Sequence, residues 1–113
     1  MTPEAFEELV GEALDTIPPR LAAAMDNVVI LVEPEPPPGQ PGLLGLYEGI
    51  PLTSRGRWYA GVLPDRITIF RGPIVRGWPS DAEIVEQVRI TVVHEVAHHF
   101  GIDDDELREL GYG

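Results

Sequence analysis

From Ser80 to Gly101 the sequence reads as one long helix with a marked start and stop, and two histidines four residues apart near its end. Ser80-Asp81-Ala82-Glu83 is a capping-box start, in which the Ser and Glu side chains satisfy free backbone N–H groups of the first turn. Ile84, Val85, Val88, Thr91 and Val92 continue at helical spacing directly into His94. Gly101 suits a left-handed terminator, so the helix is expected to end near His99 or Phe100. A helix of this length needs other elements to cover its apolar face, and the rest of the chain must supply them.

The preceding sequence offers those elements. Thr2 can cap a helix with Pro3 at its first position. Phe6, Leu9, Val10, Ala13, Leu14 and Ile17 recur at helical spacing opposite Glu7, Glu8, Glu12 and Asp15, giving a helix over about 3–16 that stops before Pro18-Pro19. Residues 20–25 add a short helical piece. Val28 to Val32 is an unbroken β-branched and leucine run, read as a buried strand. Pro34 to Gly42 holds five prolines and two glycines and is an irregular loop. Residues 43–49 and 58–62 are candidate strands. Residues 63–66 read as a turn, and Ile67 to Phe70 as a strand. Gly72-Pro73 and Gly77-Trp78-Pro79 are expected to close that region, and Asp104 to Leu110 to form one or two final helical turns.

With 113 residues, one domain spanning 1–113 is expected. The formal charge is −11, which repels phosphate backbones and anionic lipid, so neither nucleic acid nor membrane is an expected partner. The acidic first residues lack the basic and apolar regions of a signal peptide, and no apolar run approaches a membrane span. A cytoplasmic location is expected. The chain has no cysteine, so a bound metal must be held by imidazoles and carboxylates.

His94 and His98 lie one turn apart on one helix face, with β-carbons roughly 5–6 Å apart, so both imidazoles can reach one ion. Glu95 adjoins the first and can reach a metal-bound water without binding the metal. The metal would lower that water's pKa, and the carboxylate would take its proton. Past Gly101 the chain can turn back and bring Asp104 to the same face as a third ligand. Asp103 and Asp105 flank it and remain alternatives, and one of them or His99 could serve as an outer partner. His99 points to a different face and is expected on the surface. Tyr47 and Tyr112 are candidate oxyanion donors but are expected to be packing or surface aromatics. Trp58 and Trp78 are expected in the core or at its rim. Five arginines at 55, 57, 66, 71 and 76 are expected to pair with the acidic helices.

The pattern His94-Glu95-x-x-His98-x-x-Gly101-x-x-Asp104 resembles the long zinc-binding motif of the zincin metallopeptidases, in the version with Asp as third ligand. The chain as a whole resembles the bacterial minimal zincin-like domain. Residues 44–52 and 63–67 add to that similarity. The resemblance implies an α+β fold, a twisted mixed sheet of about three or four strands packed on the N-terminal and active-site helices. It implies zinc held by His94, His98 and Asp104, Glu95 as general base, and an edge strand that binds extended peptide. The expected activity is zinc-dependent peptide hydrolysis, on peptides or small proteins. The methionine turn of larger zincins has no counterpart, since Met1 and Met25 both precede the motif. Nine residues follow Asp104, which leads us to expect a shallow site open on one side, with a protein partner as a possible completion. The alternative is a non-catalytic zinc-binding or interaction module on the same scaffold.

Overall fold

A computed structural model describes residues 1–49, 64–102 and 104–109. Helix α1 spans Pro3–Asp15, with the Thr2 side chain accepting from the Ala5 N–H at 3.1 Å. Its apolar stripe of Phe6, Leu9, Val10 and Ala13 is buried. Helix α2 is the short Pro19–Ala24 segment. Strands β1 (Val28–Glu33), β2 (Gly45–Glu48) and β3 (Asp65–Phe70) follow, then α3 (Arg71–Gly77), α4 (Asp81–His99) and α5 (Asp104–Glu109). The candidate strand at 58–62, with Trp58, lies outside the described residues.

Among the described residues the sheet has the order β1-β3-β2. β1 runs parallel to β3, and β2 antiparallel to it. The fold is therefore a small α+β arrangement with a mixed sheet, as expected. Side chains alternate across a sheet, so register decides which residues face the helices. Gly45 pairs with Ile69 and Tyr47 with Ile67, while Val28 pairs with Asp65 and Ile30 with Ile67. That places Gly45, Tyr47, Asp65, Ile67 and Ile69 on one face. Ile67 and Ile69 are fully buried there, in one core with Phe6 of α1 and Val88, Val92 and Val96 of α4. Trp78 packs at the rim of this core.

Two expectations are corrected. β1 is not buried on both faces: its burial alternates residue by residue, and on the face turned away from the core Val29 and Leu31 are each 41% exposed. The segment from Gly72-Pro73 to Gly77, expected only to close the strand region, is the helix α3. Proline is tolerated in a first helical turn because its missing N–H has no partner there anyway, and burial of Pro73 and Ile74 holds the segment in place. β3 also begins two residues before the expected strand, at Asp65.

Candidate metal centre

The long helix is built as its sequence implies. The Ser80 hydroxyl accepts from the Glu83 N–H at 3.1 Å, and Ile84, Val88, Val92, Val93, Val96 and Ala97 are at most 2% exposed. At the other end Gly101 has φ +75°. Its N–H donates to the His98 carbonyl at 3.3 Å, and the Ile102 N–H donates to the Ala97 carbonyl at 2.8 Å. These two bonds make a Schellman terminator, completed by Ile102 packing against the core. The chain reverses here, and α5 begins at Asp104, two residues beyond Ile102.

His94 and His98 occupy the last two turns of α4. Their ring centres are 6.1 Å apart and tilted by 34°. With zinc–nitrogen bonds of about 2.0–2.1 Å, two imidazoles on one tetrahedral ion have centres roughly 5–6 Å apart. Small side-chain rotations bring the observed pair to a shared ion, so the two rings fit the group. The negative end of the helix macrodipole also favours a cation at this position. His94 is half-buried and His98 exposed. Among the described residues no cluster of three metal-ligating side chains is formed. The Asp104 side chain, Asp103 and Tyr112 lie outside the described residues, and the exposed Asp105 is engaged by Arg108 of the same short helix.

Glu95 is half-buried and lies four residues from both Thr91 and His99. Both of those residues touch β2: a β-carbon on Gly45 would sit 2.6 Å from Thr91 Cγ2, and the Tyr47 ring stacks on His99. Residues four apart share a helix face, so Glu95 occupies the stripe of α4 that faces β2.

A model of the zincin-like metallopeptidases matches residues 25–113, which include α4, the Gly101 turn and Asp104. The chain belongs to the zincin-like metallopeptidase family. The structure of a conserved hypothetical protein from T. thermophilus is similar, with a TM-score of 0.59 and 27% identity, over 88% of this chain and 94% of that one. No curated protein matches the chain. Among the described residues no zincin helix is long and apolar enough to cross a membrane.

Asp65 lies outside the zinc-binding motif, yet it sits at a junction of elements. Its carboxylate Oδ2 accepts from the Tyr47 hydroxyl at 2.8 Å and lies 3.8 Å from His99 Nε2. Nothing local marks it, because its partners come from β2 and from the end of α4. Tyr47 is a packing aromatic in this group, and His99 is at the surface but not isolated. The arginines also find partners other than those expected. Arg66 pairs with Glu48 on β2, and Arg76 holds Glu35, in the loop after β1, through two bonds of 2.9 Å. Arg55 and Arg57 lie outside the described residues.

Proposed function

We propose that the protein is a zinc-dependent peptidase in which His94, His98 and Asp104 hold the metal and Glu95 is the general base. The observation that carries this reading is the paired imidazoles of His94 and His98, 6.1 Å apart on one helix, with Glu95 on the adjoining stripe toward β2. Bound zinc would supply a Lewis acid and a water of lowered pKa. Glu95 would take the proton of the attacking water and return it to the departing amine. β2 stands at one end of the sheet among the described residues, and its backbone would pair with an extended peptide laid beside α4. The substrate class that follows is a short or flexible peptide, or a small protein with an exposed extended segment.

The test is Glu95→Gln in zinc-loaded protein assayed against a peptide library. Metal content should be unchanged, and hydrolysis should fall by about 10²–10⁴-fold. Unchanged hydrolysis refutes the role of Glu95. A zinc-loaded wild type that cleaves no library member refutes the peptidase reading and leaves a metal-binding module. Metal analysis after zinc supply tests the ligand set itself, and a wild type without stoichiometric zinc refutes it.

A further inference from the structure

The two histidines of the site are held in different ways. His94 is flanked on its own helix by Val92, Val93, Val96 and Ala97, all at most 1% exposed. The core therefore fixes its backbone. His98 is exposed and lies in the last turn of α4, one residue before the helix ends. Helix ends open with little free-energy cost unless other contacts hold them; here buried Ala97 precedes His98 and the Gly101 N–H bonds the His98 carbonyl, and the side of the turn that faces the sheet is held through His99. A metal site needs its ligands held at one separation before the ion arrives, so whatever holds the last turn sets how well the second imidazole is placed.

Four observations converge on His99, the immediate neighbour of His98. Its ring stacks on Tyr47 with centres 3.9 Å apart and planes 18° from parallel. The Tyr47 hydroxyl is in turn fixed on Asp65 at 2.8 Å, and the same carboxylate oxygen lies 3.8 Å from His99 Nε2. Phe100 closes the group edge-on, 5.0 Å from the His99 ring and 6.4 Å from Tyr47. The end of β2 leaves room for the ring: a β-carbon at Gly49 would come within 3.2 Å of His99 Cε1. Stacked and edge-to-face ring pairs add about 0.5–1.5 kcal/mol each beyond the area they bury. Adjacent residues on a helix rotate together, so fixing His99 fixes the backbone of His98.

We infer that Tyr47, Asp65 and His99 form a clamp between the sheet and the last turn of α4, and that this clamp positions His98 for metal. The inference rests on the assignment of His94 and His98 as ligands. None of the three clamp residues is a ligand or a catalytic residue, and their effect passes through the His98 backbone.

The experiment measures zinc affinity by competition with a chromophoric chelator, using the full chain and the variants Tyr47→Phe, His99→Ala and His99→Phe. Loss of the stacked ring in His99→Ala should weaken zinc binding about 10-fold or more, the scale seen when groups supporting a ligand are removed. His99→Phe keeps an aromatic ring and should restore most of the affinity. Tyr47→Phe keeps the stack and loses the bond to Asp65, so it should fall between. Circular dichroism of the metal-free proteins reports folding separately. If His99→Ala does not fold, His99→Phe and Tyr47→Phe carry the test. Affinity in His99→Ala equal to the wild type overturns the clamp, as does His99→Phe as weak as His99→Ala. Unchanged affinity in Tyr47→Phe overturns the link through Asp65. These outcomes differ from failure of the ligand assignment, in which the wild type itself binds no zinc.

Discussion

Gly45 brings β2 against α4, and replacing it with Ala tests that approach. The new β-carbon would stand 2.6 Å from Thr91 Cγ2 and 3.3 Å from the Thr68 carbonyl oxygen. Comfortable carbon–carbon contact is about 3.5–4.0 Å, so strand and helix must separate by roughly 1 Å. Overpacking of this kind costs about 1–3 kcal/mol. Gly45 has no positive φ, so Ala recovers about 0.5–1 kcal/mol from the lower entropy of the unfolded chain. The net expectation for Gly45→Ala is a loss of about 1–2 kcal/mol, or a melting temperature lower by roughly 4–8 °C. The offending atom is a methyl group, which makes the compensating change specific. Thr91→Ser deletes Cγ2 and keeps the hydroxyl that donates to the Gln87 carbonyl at 2.8 Å. Alone it should cost about 1 kcal/mol for the lost buried methyl. Together the two changes exchange one methyl for another in the same space, so the double variant should return close to the wild type. Urea unfolding of the four proteins gives the coupling energy, expected to be about 2 kcal/mol in favour of the double variant. Costs that simply add, within about 0.5 kcal/mol, would refute the contact and with it the seating of β2 on α4.

Three further outcomes are expected. Phe6 is fully buried where α1 meets α4, so Phe6→Ala should cost about 3–5 kcal/mol; a urea midpoint within error of the wild type would contradict this core. Gly101→Ala places a β-carbon at φ +75° and should cost about 1–2 kcal/mol, with Gly101→Asn milder. A thermal melt showing Ala as stable as Gly would exclude the Schellman terminator. Glu35 is held below the usual carboxylate range by its hydrogen bonds with Arg76, whose guanidinium is correspondingly raised. A depressed carboxylate stabilises the fold above its unfolded-state value and loses that contribution as pH falls through its folded-state value. The gap in stability between wild type and Arg76→Gln should therefore be open at neutral pH, close toward acid, and shrink with salt because the pair is exposed; a gap independent of pH would refute the pairing.

What can be read from the sequence follows the range of the interactions that decide it. The cap at Ser80, the stripe from Ile84 to Val92, the histidine spacing and the Gly101 stop each act within a few residues, and α4 matches them from end to end. β1 departs from its expected burial because an apolar run carries no information about how many faces will be covered. Val28, Ile30 and Val32 pack on the core, and the opposite face of the strand leaves Val29 and Leu31 to solvent. The α3 segment departs for the opposite reason. Gly72 and Pro73 argue locally for a turn, but the Gly72 N–H finds the Pro34 carbonyl at 2.8 Å and Ile74 is drawn into the core. Tertiary contacts decide both cases, and they join residues far apart in the chain.

The same division runs through the candidate metal centre. Helical spacing alone places His94 and His98 on one face, so the pair is legible within a single helical turn. How firmly the second imidazole is held is not local, because Tyr47, Asp65 and His99 meet only when β2 pairs with β3 in this register and α4 ends against them. A one-residue slip of β2 would turn Tyr47 to the outer face and remove the stack, with every residue of the motif unchanged. Two chains sharing His-Glu-x-x-His-x-x-Gly-x-x-Asp can therefore differ in metal affinity through residues on the sheet. On the clamp proposed above, residue 47 would tune an affinity that the motif supplies.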